Sequence, residues 1–353
     1  MRARENSEQI ALLHGEPAER ARLLQRFAAV VENWIRIMKR TKQLTFLTAS
    51  YRQVSNVFPI VMVSPVYFAG KMQLGGLTQT ASAFGEVQGA LSFFVNVYRQ
   101  FAEWRAVIAR LGGFEDAIQA ARAIGATTPA IKLAATDGAQ VRLDDLNVAL
   151  PNGAPLVAAD GIAFAPRDQV LVTGASGAGK STLFRAIAGI WPFGKGTVMI
   201  PAGAKVMALP QRPYLPIGTL AAAVSYPAVA GTFDEPRIRD LLVAVGLPAL
   251  AERTAEEAHW NRMLSLGEQQ RIAIARAILH APDYLLLDEA SASLDEPAEA
   301  ALYRLLHERL PNAAIVSIGH RSTLAAFHKR RITLTREGER HRVAAAALSP
   351  AAS

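Results

Sequence analysis

The sequence has no cysteine, which excludes disulfides, thiolate metal sites and a cysteine nucleophile and suits a reducing compartment. Charge is scarce: Asp, Glu, Lys and Arg make up 19% of the 353 residues, against 51% hydrophobic. That is below the usual quarter and tilts the chain toward an apolar protein. A formal net charge of +8 remains, but it is spread out. The densest basic runs, Arg36 to Lys42 and His328 to Arg342, are short, so charge gives little support for a nucleic-acid partner. The start, "MRARENSEQIALLHGEPAER", is polar and has no apolar core of a signal peptide. Internal repeats are absent, and the one low-complexity stretch is the Ala-rich tail.

What is present divides near residue 125. Leu23, Leu24, Phe27, Val30, Val31, Trp34, Ile35 and Met38 recur at helical spacing over residues 19–45, with Arg, Lys and Glu opposite. Gln53–Gly70 follows without a single charged side chain. A second apolar region, Gly75–Tyr98, is interrupted by Glu86, and "AGKMQLGG" reads as the turn between them. A bilayer crossing takes about 20 apolar residues, with a lower limit near 17. The expected spans are therefore about 44–70 and 78–98, with Pro59 and Pro65 tolerated as membrane helices tolerate proline. Gly85 and Gly89 suit close helix packing. Arg36, Lys39, Arg40, Lys42, Arg99, Arg105 and Arg110 flank the cytoplasmic ends, leaving Lys71 for the outer turn. "LGGFED" signals a helix end, and Ala117–Gly138 is patternless enough to read as a linker.

Beyond it, short buried-type strands alternate with helical segments, the pattern of an α/β domain. Strands are expected at 141–150, 168–174, 283–290 and 313–320, and helices at 180–190, 235–246 and 268–280. "GASGAGKST" fits G-x-x-x-x-G-K-[ST], a loop whose backbone N–H groups turn around phosphates at a helix N-terminus. Gly174, Ala175, Ser176, Gly177, Ala178, Gly179, Lys180, Ser181 and Thr182 are thus candidate ATP-binding residues, with Ser181 also on Mg2+. "YLLLDE" ends a buried strand in two carboxylates, which is costly unless a cation or hydrogen bonds await them. Asp288 is the expected metal ligand and Glu289 the residue that polarises an attacking water.

"LSLGEQQRIAIARAIL" opens with capping-box spacing at Ser265 and Glu268, and Gly267 permits close backbone approach. Set between the phosphate loop and "LLLDEASASLD", it resembles the signature loop of ABC transporter ATPases. The resemblance implies a head-to-tail dimer around ATP and Mg2+, with Ser265, Gly267 and Glu268 meeting nucleotide held by the other copy. It further implies that Gln211 in "LPQRPYLPIGTL" senses metal and water, that Asp295 crosses the interface, and that His320 in "SIGHR" is the switch histidine near the γ-phosphate. Leu266 and Glu268 stand where most signatures have Gly and Gln. Leu150 and Pro151 occupy the place of the aromatic that stacks on adenine, which removes that stack.

"LSLGEQQR", "PQRPYLPIGTL", "NSEQIALLHGEPAE" and "YFAGKMQLGG…" are together similar to the half-transporters of subfamily D and their bacterial SbmA/BacA/YddA-type relatives. The implied fold is an α/β P-loop NTPase domain preceded by an all-α partial transmembrane domain, the last two of six helices. Expected boundaries are 1–115 for the membrane part, 116–138 for the linker, 139–340 for the ATPase and 341–353 for the tail. The implied setting is the inner (cytoplasmic) membrane, multi-pass, with the ATPase cytoplasmic, a second copy as partner and no nucleic acid. Relatives carry peptides, cobalamin or acyl-CoA. The chain is read as lacking the first four helices, as a fragment or with those helices on another polypeptide. Two rivals are a truncated ATP-binding chain that regulates a full transporter and a soluble ABC ATPase of DNA repair or translation.

Overall fold

A computed structural model of the chain describes residues 6–124, 130–319 and 321–347. It divides into two compact units, Met1–Glu115 and Asp116–Ser353.

The first unit is helical: α1 (Ser7–Leu12), α2 (Glu16–Phe68) and the greater part of α3 (Leu74–Ile124). At 1.5 Å per residue, α2 runs for roughly 80 Å, and it continues through Pro59 and Pro65. The rings of Phe58 and Phe84 meet at 5.7 Å, joining α2 to α3. In α2 only Ser55 and Pro59 are buried, whereas Phe27, Trp34, Phe46 and Val61 lie exposed. The second expected span falls inside α3 and the first inside α2 except for Ala69 and Gly70, but among the described residues no helix is long and apolar enough to cross a membrane. Gln53, Ser55, Asn56 and Ser64 dilute the first span, and Glu86 and Gln88 the second.

The second unit is built on an 11-stranded mixed sheet. Its parallel heart runs β12 (Arg330–Glu337), β5 (Gln169–Gly174), β11 (Ala314–Ile318), β10 (Tyr284–Asp288) and β7 (Val206–Leu209). The central strands β5, β11 and β10 are apolar on both faces because both faces are covered, whereas β12 carries Arg and Thr residues around Ile332 and Leu334. Leu171, Leu285, Leu287 and Ile315 join one hydrophobic cluster. Val170, Val172, Leu286 and Val316 join the other. The first cluster takes in α5 (Leu220–Ser225), α6 (Glu235–Ala244), α7 (Pro248–Ala251), α8 (Trp260–Met263), α9 (Leu266–His280) and α10 (Glu296–Arg309). The second covers α4 (Lys180–Ile187) and the antiparallel strands β2 (Val141–Ala149), β3 (Pro155–Ala159) and β4 (Ile162–Phe164). β6 (Gly194–Pro201) pairs with β2 on one side and with β1 (Lys132–Thr136) on the other. A separate two-stranded ribbon joins β8 (Gly218–Thr219) to β9 (Glu257–Ala258).

Two expected boundaries shift. The segment read as a linker holds the last turns of α3, which passes through Gly112 and Gly113, and strand β1. Ala117, Ala120, Ala121 and Ala123 favour helix strongly enough to outweigh the roughly 1 kcal/mol that each mid-helix glycine costs. The Ala-rich tail likewise begins as β13 (Arg340–Ala347), which pairs antiparallel with β12 and also touches β3. Small alanines carry no strand propensity, so β13 owes its existence to the register of its partners rather than to its own pattern.

Candidate functional site

In a parallel sheet, ligand sites gather beyond the carboxyl ends of the strands. Here β5, β10 and β7 end at Gly174, Asp288 and Leu209, and the segments that follow all line one cleft of about 700 Å3.

The loop after β5 is committed to glycine at its last position. Gly179 has φ +90°, and a Cβ there would lie 2.5 Å from Val157 Cγ2 and 2.9 Å from Leu156 Cγ. Only a residue without a side chain reconciles this left-handed backbone with that packing. Gly179 caps α4, so the first N–H groups of the helix and its positive dipole end face the cleft. Ser176, Gly177, Gly179, Lys180, Ser181 and Thr182 line the cleft directly, whereas Ala178 is buried beneath them. The Lys180 ammonium folds back into its own loop, donating to the carbonyl oxygens of Gly174 and Ala175 at 2.9 Å each. Burial lowers its pKa, and Glu289 and Asp288 pull it partly back.

β10 delivers the two carboxylates. Asp288 accepts a 2.8 Å hydrogen bond from Ser181 Oγ. Burial raises its pKa, and the Ser181 bond offsets this in part. A carboxylate in that condition gains from a cation, and a hydroxyl, a carboxylate and an amide oxygen form an all-oxygen donor set that suits Mg2+. Ser181, Asp288 and Gln211 thus fit such an ion. Glu289 follows in the left-handed region at φ +50°, with its N–H donating to the Ile318 carbonyl. From the segment after β7, Gln211 Nε2 donates to Glu289 Oε2 at 3.2 Å. The structure therefore gathers Lys180, Ser181, Asp288, Glu289 and Gln211 around one cleft.

The remaining candidates lie elsewhere. Ser265, Gly267, Glu268 and Asp295 do not line this cleft. Ser265 caps α9 in a full capping box: its N–H and its hydroxyl both donate to Glu268 Oε2 at 2.8 Å, and the Glu268 N–H donates back to Ser265 Oγ. Gly267 packs against the segment after β10, where a Cβ would lie 3.4 Å from the Ser293 carbonyl oxygen. Asp295 caps α10, accepting from the Ala298 N–H at 3.0 Å. His320 lies outside the described residues.

Leu150 and Leu156 also line the cleft, which gives it an aliphatic wall. Sequence reasoning missed Leu156, Arg185 and Arg212, which also line it. Arg185 was within reach: it stands one helical turn beyond Ser181, on the same face of α4, and lines the same cleft.

The ABC transporter family model matches residues 162–292, and the SbmA/BacA-like family model matches residues 10–119. An uncharacterised ABC transporter ATP-binding protein of Synechocystis is 35% identical over 347 residues, covering 96% of this chain and 52% of that protein. The inner membrane ABC transporter ATP-binding protein YddA of Escherichia coli is 32% identical, covering 89% of this chain and 54% of that protein. ABC transporter D family member 2 (chloroplastic) of Arabidopsis thaliana is also 32% identical, covering 94% and 56%. The chain thus spans about half the length of the curated relatives it matches. A bacterial Atm1-family ABC exporter solved with ATP bound has the same fold, with TM-score 0.74 at 20% identity over 96% of this chain and 61% of that one. The chain thus joins a region similar to the SbmA/BacA-like family to a region similar to the ABC transporter family, in the order its relatives have them.

Proposed function

We propose that this chain binds and hydrolyses ATP as the motor part of a membrane transporter, two copies closing head to tail around two nucleotides. The observation that carries the reading is the convergence of Lys180, Ser181, Asp288, Glu289 and Gln211 on one cleft at the strand ends.

Backbone N–H groups of Gly174–Ser181 would take the phosphates, and Lys180 would leave the Gly174 and Ala175 carbonyls for the β- and γ-oxygens. Ser181, Asp288 and Gln211 would hold Mg2+, which would supply positive charge to the phosphates. Glu289 would orient a water in line with the γ-phosphorus and take up its proton as the new P–O bond forms and the bond to the β-phosphate oxygen breaks, releasing ADP. The Gln211 amide, now on the Glu289 carboxylate, reports whether that water and ion are in place. Ser265 and Gly267 of one copy would meet the γ-phosphate held by the other, with Asp295 beside the same seam. His320 would complete the water-orienting group. Leu150 and Leu156 would take the base by apolar contact. Closure of the two motors would move the helices of the first unit, with the bilayer as their surroundings and an inner-membrane setting like that named for YddA.

Glu289→Gln in the full chain is expected to lower phosphate release by 10²-fold or more, the usual range for a lost general base, with ATP binding retained. Turnover at the wild-type rate would remove Glu289 from the chemistry and this reading with it.

A further inference from the structure

Gln270 sits on α9, five residues after Ser265, and is fully buried at 0% exposure. Its amide serves two different loops. Nε2 donates to the Gln211 carbonyl oxygen at 2.9 Å, and Oε1 accepts from the Ser293 N–H at 3.0 Å. One side chain thus ties the segment after β7 to the segment after β10, the two segments that bring Gln211 and Glu289 to the cleft. Gln270 itself does not line the cleft.

The segment after β10 is gripped from its other side as well. Arg321, just beyond β11, donates from Nη1 to the Leu294 carbonyl at 2.6 Å and from Nη2 to the Ala292 carbonyl at 3.1 Å. Its Nη1 also lies 3.5 Å from Glu299 Oε2. Glu299, on α10, is only 2% exposed. Through Oε1 it accepts a 2.6 Å hydrogen bond from Ser291 Oγ. Ser291, Ala292, Ser293 and Leu294 are therefore each fixed by a bond from outside the segment. A buried amide or carboxylate is costly unless its bonds are made. The Gln270 amide and Glu299 Oε1 have theirs, whereas Glu299 Oε2 makes no hydrogen bond among the described residues and relies on the Arg321 charge at 3.5 Å. Glu289 stands two residues upstream, and its 3.2 Å contact with Gln211 depends on both segments holding register.

We infer that Gln270 is a positioning residue for hydrolysis: it sets the Gln211 segment against residues 291–294, with Arg321 and Glu299 as the opposing anchor. The inference rests on the ATPase reading above. It also places the link on the helix that begins at Ser265, so engagement of that helix end by a second copy is felt at Glu289 through one amide.

The test uses the full chain with Gln270→Met, which keeps volume and loses both bonds, and Glu299→Gln, which keeps the Ser291 bond and loses the charge facing Arg321. MgATP turnover, KM, nucleotide affinity and thermal midpoint are measured for each variant and for the pair. A misplacement of about 1 Å lowers kcat by ~10- to 100-fold, and each variant is expected in that range with KM and nucleotide affinity within about threefold of wild type. The double variant is expected to fall no further than the worse single one, since both act through one loop. Wild-type kcat overturns the inference. So does a kcat loss that merely follows lost nucleotide affinity and thermal stability, or two effects that multiply. If Gln270→Met does not fold, kcat, KM and affinity of Glu299→Gln alone decide between the same outcomes. Glu289→Gln run alongside separates the levels: unchanged turnover there overturns the ATPase reading itself, whereas loss there with intact Gln270→Met and Glu299→Gln overturns only this inference.

Discussion

Glu268 is the residue at which this chain departs most consequentially from the signature it resembles. Its carboxylate receives two bonds from Ser265, from the N–H and from the hydroxyl, at 2.8 Å each. A hydrogen bond to a charged acceptor is worth about 1.5–3 kcal/mol against 0.5–1.5 for a neutral one. The capping box therefore holds Ser265 on its own helix, and under the proposed head-to-tail closure it would set a negative charge toward the other copy's nucleotide. Glu268→Gln keeps the side-chain shape, weakens the hold by about 1 kcal/mol and removes the repulsion. The cost is a smaller favourable interaction with the N-terminal end of the helix, about 0.3–1 kcal/mol. In a Glu289→Gln background, the ATP concentration for half-maximal dimer formation is expected to fall about fivefold or more, read by light scattering on a sizing column. An unchanged or higher midpoint would mean that Glu268 serves α9 alone.

Among the elements, the join between β11 and the 3-10 turn Ser322–Phe327 depends on a histidine that must stay neutral. The His328 ring is 5% exposed and lies between the Leu324 carbonyl at 2.7 Å and Ser317 Oγ at 2.9 Å. Burial pushes its pKa down to about 4, against which the Leu324 bond is a smaller, opposite effect. In the unfolded chain a histidine titrates near 6.5. Below that pH the unfolded state takes up a proton that the folded state refuses, so stability is full above about 6.5 and drains away toward pH 4, on the order of 3 kcal/mol in all. Urea unfolding of the second unit, followed in the full chain between pH 7 and pH 4, is expected to show that slope, and His328→Gln to flatten it. An unaltered slope in the variant would assign the loss to other groups. Such a role was not legible in the sequence, where His328 reads as one member of a basic run. What was legible were elements whose burial imposes a pattern: the apolar runs of β5, β10 and β11, the glycines before α4 and the Ser265–Glu268 spacing each follow from local chemistry. β13 was not, because alanine carries no preference that its partners do not supply. Gln270 was not either, since an amide on a helix looks alike whether it faces solvent or bridges two loops.

For the whole molecule the outstanding physical question is what covers the first unit. Phe46 and Phe68 are 76% and 82% exposed, and Phe27, Trp34, Val61, Phe101 and Trp104 are exposed along the same two helices. Soluble monomers rarely leave apolar patches beyond a few hundred Å2, and each large apolar side chain taken out of water returns about 1.5–3 kcal/mol. The gain from covering α2 and α3 is therefore far larger than the few kcal/mol of net stability that a domain possesses. Yet among the described residues no helix is apolar enough to cross a bilayer by itself. The two facts are compatible if the helices enter the membrane packed on other helices, with Gln53, Asn56 and Glu86 turned toward protein rather than lipid. A net charge of +8 offers a competing explanation for any membrane association, namely attraction to anionic headgroups, and salt separates the two. At about 1 M salt the screening length falls to about 3 Å, which releases a protein held by charge and leaves one held by apolar burial. The full chain is expected to sediment with membranes, to remain there through the salt wash and to come off in detergent. Release by salt alone would assign the attachment to the basic surface and would leave α2 and α3 to be covered by a second protein.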